Sequence, residues 1–328
     1  MTIDLDFFGL AEPPFNPTPD PRFLYMTPGH REALAQLLHA VQGRKGFILL
    51  TGEIGTGKTT LLHSLLRRLG DTMAVAFITN TMLGFEGILE YMLEDLGVAK
   101  PGDSHAQRLI ALQSFLTERR RAGQNTVLIL DEAQDLDVRT LEYIRLLSNF
   151  ETPTEKILQI LLVGQPELRA KLDLPELRQL YQRLALRCRI PPLAPDEVGH
   201  YIRNRLRVAR THDLALFSHE AVARIARYSG GIPRLVNTVC DHCLVFAYAD
   251  KVRRIDRGIV DQVIDYLQDG EPRRRGKALP TPGRWHMTPR RWGVLGASAA
   301  AAGLTGLLVA HPAVLWQAAR SARALLGL

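Results

Sequence analysis

The sequence predicts an α/β protein built on a mostly parallel sheet, followed by a small all-helical domain and a single membrane-spanning helix. Three observations predict it. The run Phe47 to Thr60, F-I-L-L-T-G-E-I-G-T-G-K-T-T, is a short apolar strand that breaks into a glycine-rich turn and then into a helical pattern. Downstream, short apolar runs alternate with amphipathic ones, as strands separated by helices do, and such strands pair in parallel with both faces covered. Past Pro191-Pro192 and Pro195 the strand signals stop and only helical patterns follow.

Taken in order, the chain begins with a proline-rich lead, E-P-P-F-N-P-T-P-D-P-R-F-L-Y, too proline-dense to be helical, which must lie along the surface of something. A helix is expected from Gly29 to Gln42. After the glycine turn come a strand (Met73 to Thr79), two helices (Phe85 to Leu96, His105 to Arg121) and a buried strand (Thr126 to Asp131). A helix (Arg139 to Phe150), a strand (Ile157 to Gly164) and a helix (Pro175 to Leu186) complete the core, the last standing before a final strand. Four helices follow: Asp196 to Ala209, Ser218 to Tyr228, Pro233 to Ala249 and Asp256 to Leu267. The expected parts are a lead and first helix (1–45), a nucleotide-binding core (46–194), a helical lid (195–269), a basic linker (270–291), a spanning helix (292–316) and a tail (317–328).

At 328 residues and 46% hydrophobic content the chain can bury a sizeable core. Its net charge of +7 suggests nucleic acid until it is located. Nine basic residues and no acid lie beyond residue 272, so residues 1–272 carry about −2, which disfavours nucleic-acid binding by bulk charge. Three cysteines fit a reducing compartment, and Cys240-Asp241-His242-Cys243, with no second ligand pair, reads as buried structure rather than a metal site. The acidic start, M-T-I-D-L-D, lacks the features of a signal peptide. Gly293 to Ala310 is about 18 uncharged residues, roughly 27 Å as a helix, flanked by Trp292, Trp316 and seven basic residues on one side. That pattern holds the preceding chain in the cytoplasm, with the protein in a membrane; the rival is an Ala-rich helix packed on protein.

The chemistry follows from spacing. Gly52, Gly57, Lys58 and Thr59 fit G-x-x-x-x-G-K-[ST], a phosphate-binding loop. From Gly52 through Glu53, Ile54, Gly55 and Thr56, backbone N–H groups can curl around phosphate oxygens, and the helix carrying Thr59 and Thr60 points its positive end at them. Lys58 would reach the outer phosphates and Thr59 would place its hydroxyl on Mg²⁺. The strand V-L-I-L ends in Asp131-Glu132-Ala133-Gln134. There Asp131 would hold Mg²⁺ through its water shell and Glu132 would polarise the attacking water. Gln165, closing the next apolar strand, either reads the terminal phosphate or orients water, or else caps the following helix.

The motifs G-E-I-G-T-G-K-T-T, L-I-L-D-E-A-Q, L-L-V-G-Q-P-E-L, L-Y-Q-R-L and S-G-G-I-P-R-L-V-N, with the lead E-P-P-F, resemble those of the AAA+ ATPases of the ExeA or general secretion pathway protein A type. The resemblance spans about residues 5 to 268. It implies a P-loop AAA+ core with ATP and Mg²⁺ bound, Gln165 as first sensor, Arg234 as second sensor in the lid, and Arg183 as the finger given to a neighbouring subunit. Arg187, one helical turn beyond on the expected helix, competes with Arg183. It further implies a homo-oligomer with shared sites, serving a secretion, pilus or surface-polymer export apparatus. Secretion members follow the membrane segment with a peptidoglycan-binding domain, for which this sequence has only about a dozen residues, so wall binding is not expected. A DNA-associated ATPase of the transposition-regulator or origin-recognition kind, which shares this core, is the alternative.

Overall fold

Five strands, the central three fully buried, line up in parallel in the order β2-β3-β4-β1-β5: β1 (Phe47–Gly52), β2 (Met73–Ile78), β3 (Asn125–Leu130), β4 (Gln159–Gly164) and β5 (Leu184–Ile190). The computed structural model describes residues 4–16, 20–70, 73–79, 82–98, 104–152, 155–211 and 213–269. The expected linker, spanning helix and tail lie outside the described residues. Among the described residues no helix is long and apolar enough to cross a membrane.

Strand side chains alternate between two helical layers, as a period of two requires. On one face Ile48, Leu50, Ile129, Leu161 and Val163 pack under α1 (Pro28–Gln42) and α2 (Lys58–Leu69). On the other, Phe47, Leu49, Leu128, Ile160 and Leu162 pack under α3 (Phe85–Asp95), α4 (His105–Arg121), α5 (Val138–Leu147), α6 (Pro166–Leu172) and α7 (Arg178–Gln182). Helix starts follow local chemistry. Thr27 caps α1 by accepting from the His30 N–H, with Pro28 at the first turn, and Ser104 and Gln107 form a reciprocal capping box on α4.

The helical part comprises α8 (Pro195–Val208), α9 (His219–Ser229), α10 (Pro233–Ala249) and α11 (Arg257–Asp269), around Val198, Ile202, Leu206, Ile225, Val239 and Leu244. The lead does more than lie on a surface. It forms short 3-10 turns at Asp6–Phe8 and Pro21–Phe23, and Phe8, Leu10, Phe15 and Phe23 sink into this helical core. Arg205 on α8 secures it, donating to the carbonyls of Pro14 and Asn16 while its guanidinium stacks 4.7 Å over Phe23. The expected 1–45 segment therefore divides: its lead packs with α8–α11, and α1 packs on the sheet.

A second difference lies at Pro175 to Leu186, expected as one helix. Pro175–Leu177 is a 3-10 turn, α7 lasts five residues, and from Leu184 the chain is already in β5. The reason is visible in L-A-L-R-C-R-I: Leu184, Cys188 and Ile190 are buried while Ala185, Arg187 and Arg189 are exposed, the alternation of an edge strand. Leu180 and Leu184 also satisfy a four-residue helical spacing, which is how a helix could be read through this stretch.

Candidate functional site

The carboxyl ends of β1, β3 and β4 meet at the edge where open parallel sheets bind ligands. β1 is buried along its whole length and stops at Gly52. The next residues wrap into a loop in which Gly55 (φ +80°) and Gly57 (φ +96°) take conformations that side chains resist. Gly57 caps α2 without a side chain, so the first-turn N–H groups of α2 keep their donors for an anion. Thr56 turns back to donate to the Glu53 carbonyl at 2.8 Å. Lys58 is buried, and its ammonium donates to the carbonyls of Gly52 (2.9 Å) and Glu53 (3.2 Å). Burial pushes its pKa down, against the pull of Glu132 and Asp131. Among the described residues no carboxylate forms an ion pair with it.

Asp131 is likewise buried, accepting from the Thr59 hydroxyl at 3.1 Å and from the Glu132 N–H at 3.0 Å. Burial pushes its carboxyl upward. Lys58 thus spends its donors on two carbonyls, and Asp131 stands beside the Thr59 hydroxyl within the electrostatic reach of Lys58. A phosphate group and Mg²⁺ fit these two positions.

Glu132 adopts the left-handed region (φ 53°, ψ 39°), rare for a side-chain-bearing residue, and this directs its carboxylate along the sheet edge instead of into the core. Its Oε2 accepts from Gln134 Nε2 at 2.9 Å and from Gln165 Nε2 at 3.4 Å. Gln165 occupies the cap position of α6, yet its side chain makes no capping bond and points to Glu132.

The helical part closes the site from above. Pro233 opens α10, whose Arg234 N–H donates to the Gly55 carbonyl at 3.3 Å. The approach is close enough that a Cβ on Gly55 would stand 2.5 Å from that of Arg234. Between loop, lead and lid lies a cavity of about 430 Å³, lined by Lys58, Thr59, Glu132 and Arg234 and walled by Tyr201 and Arg205. His30 also lines it. Its Nε2 donates to the Thr56 carbonyl at 3.1 Å, so Nδ1 is the acceptor from Thr27 Oγ1 at 2.7 Å, and burial holds the ring below its ordinary pKa.

Arg183 lies away from its own loop, exposed just after α7, with its guanidinium held by Ser148 Oγ (2.6 Å) and Asn149 Oδ1 (2.8 Å). Arg187 is not a helical turn beyond it: it sits on β5, its guanidinium 3.9 Å over the Tyr181 ring. The reason is the early end of α7. Cys240 and Cys243 are both buried on α10, with burial raising both thiols. Among the described residues no group of three or more His, Cys, Asp or Glu side chains could hold a metal ion on its own.

Residues 39–172 match the sequence profile of an AAA domain. General secretion pathway protein A of Aeromonas hydrophila is 42% identical over 253 residues, 77% of this chain and 46% of that protein. The chain carries an AAA+ core of the general secretion pathway protein A type. Origin recognition complex subunit 1 of Rattus norvegicus is 27% identical over 201 residues, 57% of this chain and 22% of that protein. The chain therefore spans less than half the length of these curated relatives. For the fold alone, the structure of Drosophila ORC bound to DNA aligns with a TM-score of 0.59 at 20% identity, covering 80% of this chain and 66% of that one.

Four residues in or beside the site had no role from the sequence. His30 is one basic residue in a helix start, Gln134 is one polar residue in a turn, and Ser148 and Asn149 close α5. The only sequence signal was the placing of Gln134 two residues after the acid at a strand end, where polar side chains face ligands.

Proposed function

We propose that this chain hydrolyses ATP and couples that cycle to assembling or energising an envelope secretion, pilus or surface-polymer export apparatus, tethered to the inner membrane by residues 292–316. The convergence of Lys58, Thr59, Asp131, Glu132 and Gln165 on one sheet edge supports the hydrolysis most directly, and the similarity to general secretion pathway protein A supports the export role. In this reading the loop N–H groups and Lys58 bind the phosphates, and Lys58 exchanges its two carbonyl partners for phosphate oxygens. Thr59 and Asp131 would hold Mg²⁺, which neutralises charge on the outer phosphates when bound. Glu132 accepts a proton from the water that attacks the terminal phosphorus, the bond to the ADP oxygen breaks, and Gln165 orients the water. Arg234 and the start of α10 close over the phosphates. Arg183 reaches the terminal phosphate of a neighbouring copy, so turnover depends on assembly.

The reading expects Lys58→Ala to lose nucleotide binding, and Glu132→Gln to bind ATP with turnover reduced at least about a hundredfold. Equilibrium binding of a fluorescent ATP analogue and steady-state phosphate release check both. Glu132→Gln, extracted from membranes with ATP present, should copurify with inner-membrane proteins of an export apparatus. Recovery from the soluble fraction with duplex DNA bound would favour the DNA-associated alternative instead, for which the origin-recognition relative is the observation.

A further inference from the structure

Gln134 is bound at both ends of its amide and at its backbone. The Nε2 donates to Glu132 Oε2 at 2.9 Å, the shorter of the two bonds that carboxylate accepts from side chains. The Oε1 accepts from the backbone N–H of Gln165 at 3.1 Å. It is seated so closely that a Cβ on Gly164 would lie 2.6 Å from it, leaving no room there for a side chain. Behind it, Lys171 on α6 donates to the carbonyls of Gln134 and Leu136 and pins the turn. One amide thus spans from the end of β3 to the end of β4.

We infer that Gln134 is a positioning residue for hydrolysis: it fixes the Glu132 carboxylate by Oε2, leaves Oε1 to take the proton from water, and ties that orientation to the backbone of Gln165. The inference rests on the hydrolytic reading of the site. It follows from valence. A carboxylate on a left-handed residue at a strand end has free rotors, and a donor from a pinned turn removes them. Because Oε1 of Gln134 holds the main chain of Gln165, the Glu132 carboxylate is tied to the end of β4 through one amide. The hydrogen bonds of Gln134 go to Glu132, Gln165 and Lys171 and not to the phosphate loop, so its loss acts on the chemical step and spares nucleotide binding.

The test uses the full chain with Gln134→Glu, which keeps the size and the acceptor toward Gln165 but cannot donate to Glu132 when ionised, and Gln134→Ala, which removes both bonds. Steady-state phosphate release should show kcat lower by roughly ten- to a hundredfold in each, with KM and the affinity for a fluorescent ATP analogue within about twofold of the parent. A purely structural role would instead weaken nucleotide binding together with turnover. Parental kcat in both variants, a raised kcat, or a parallel loss of affinity overturns the inference while leaving hydrolysis in place. A parent chain that releases no phosphate overturns hydrolysis itself and the inference with it.

Discussion

Glu132 carries the local cost of the site. A left-handed non-glycine residue is disfavoured by roughly 1–2 kcal/mol, and here the cost turns the carboxylate from the core to the sheet edge. His30 is the complementary case, a buried ring whose neutral form is the one the structure uses. With its folded pKa below the ordinary 6.5, the unfolded chain binds the proton first as pH falls. Stability is therefore lost progressively as pH falls from about 6.5 toward the depressed value, and it is unaffected by this group above that window. Asp131, raised above 3.8, contributes in the opposite sense at more acid pH, where protonation favours the folded state. Thermal melts between pH 5 and 7 should show His30→Gln with a shallower pH dependence than the parent. Equal slopes would mean that the ring titrates normally.

At the scale of elements, legibility followed locality. The loop from Gly52 to Thr59 was readable because a phosphate cradle needs glycines and a helix start within a few residues. Asp131 and Glu132 were readable because an apolar strand must end where its acids begin. The burial of the lead was not, since Pro14 and Arg205, the groups that join, stand 191 residues apart. Nor could the bridge by Gln134 be read, because Gln165 comes 31 residues later, just past a strand whose neighbours only the sheet order supplies. The end of α7 was blurred because L-A-L-R-C-R-I satisfies a helical and an extended spacing together. The lead makes a direct prediction. Phe15 is fully buried against α8–α11, so Phe15→Ala should cost about 3–5 kcal/mol in chemical unfolding. A change under about 1 kcal/mol would mean that the lead contributes little to the lid.

Across the whole molecule, the loop site lies between the sheet with its helices and the helical part. Arg234 donates to Gly55, and His30 on α1 donates to Thr56, so the helical part and α1 both touch the phosphate loop. Gly55→Ala should lower nucleotide affinity, since its Cβ would press on Arg234 and its φ of +80° disfavours a side chain. Arg183 is exposed, its guanidinium held by Ser148 and Asn149, and the proposed reading has it serve a second copy. If so, two defects in different copies should compensate. The most direct measurement is steady-state phosphate release from the parent, from Arg183→Ala, from Lys58→Ala, and from the two variants mixed in equal amounts. The account predicts release by the parent, almost none from either variant alone, and partial recovery in the mixture, where an intact loop meets an intact Arg183. A mixture as inactive as its components would contradict a site shared between copies, and a silent parent would contradict hydrolysis at this edge altogether.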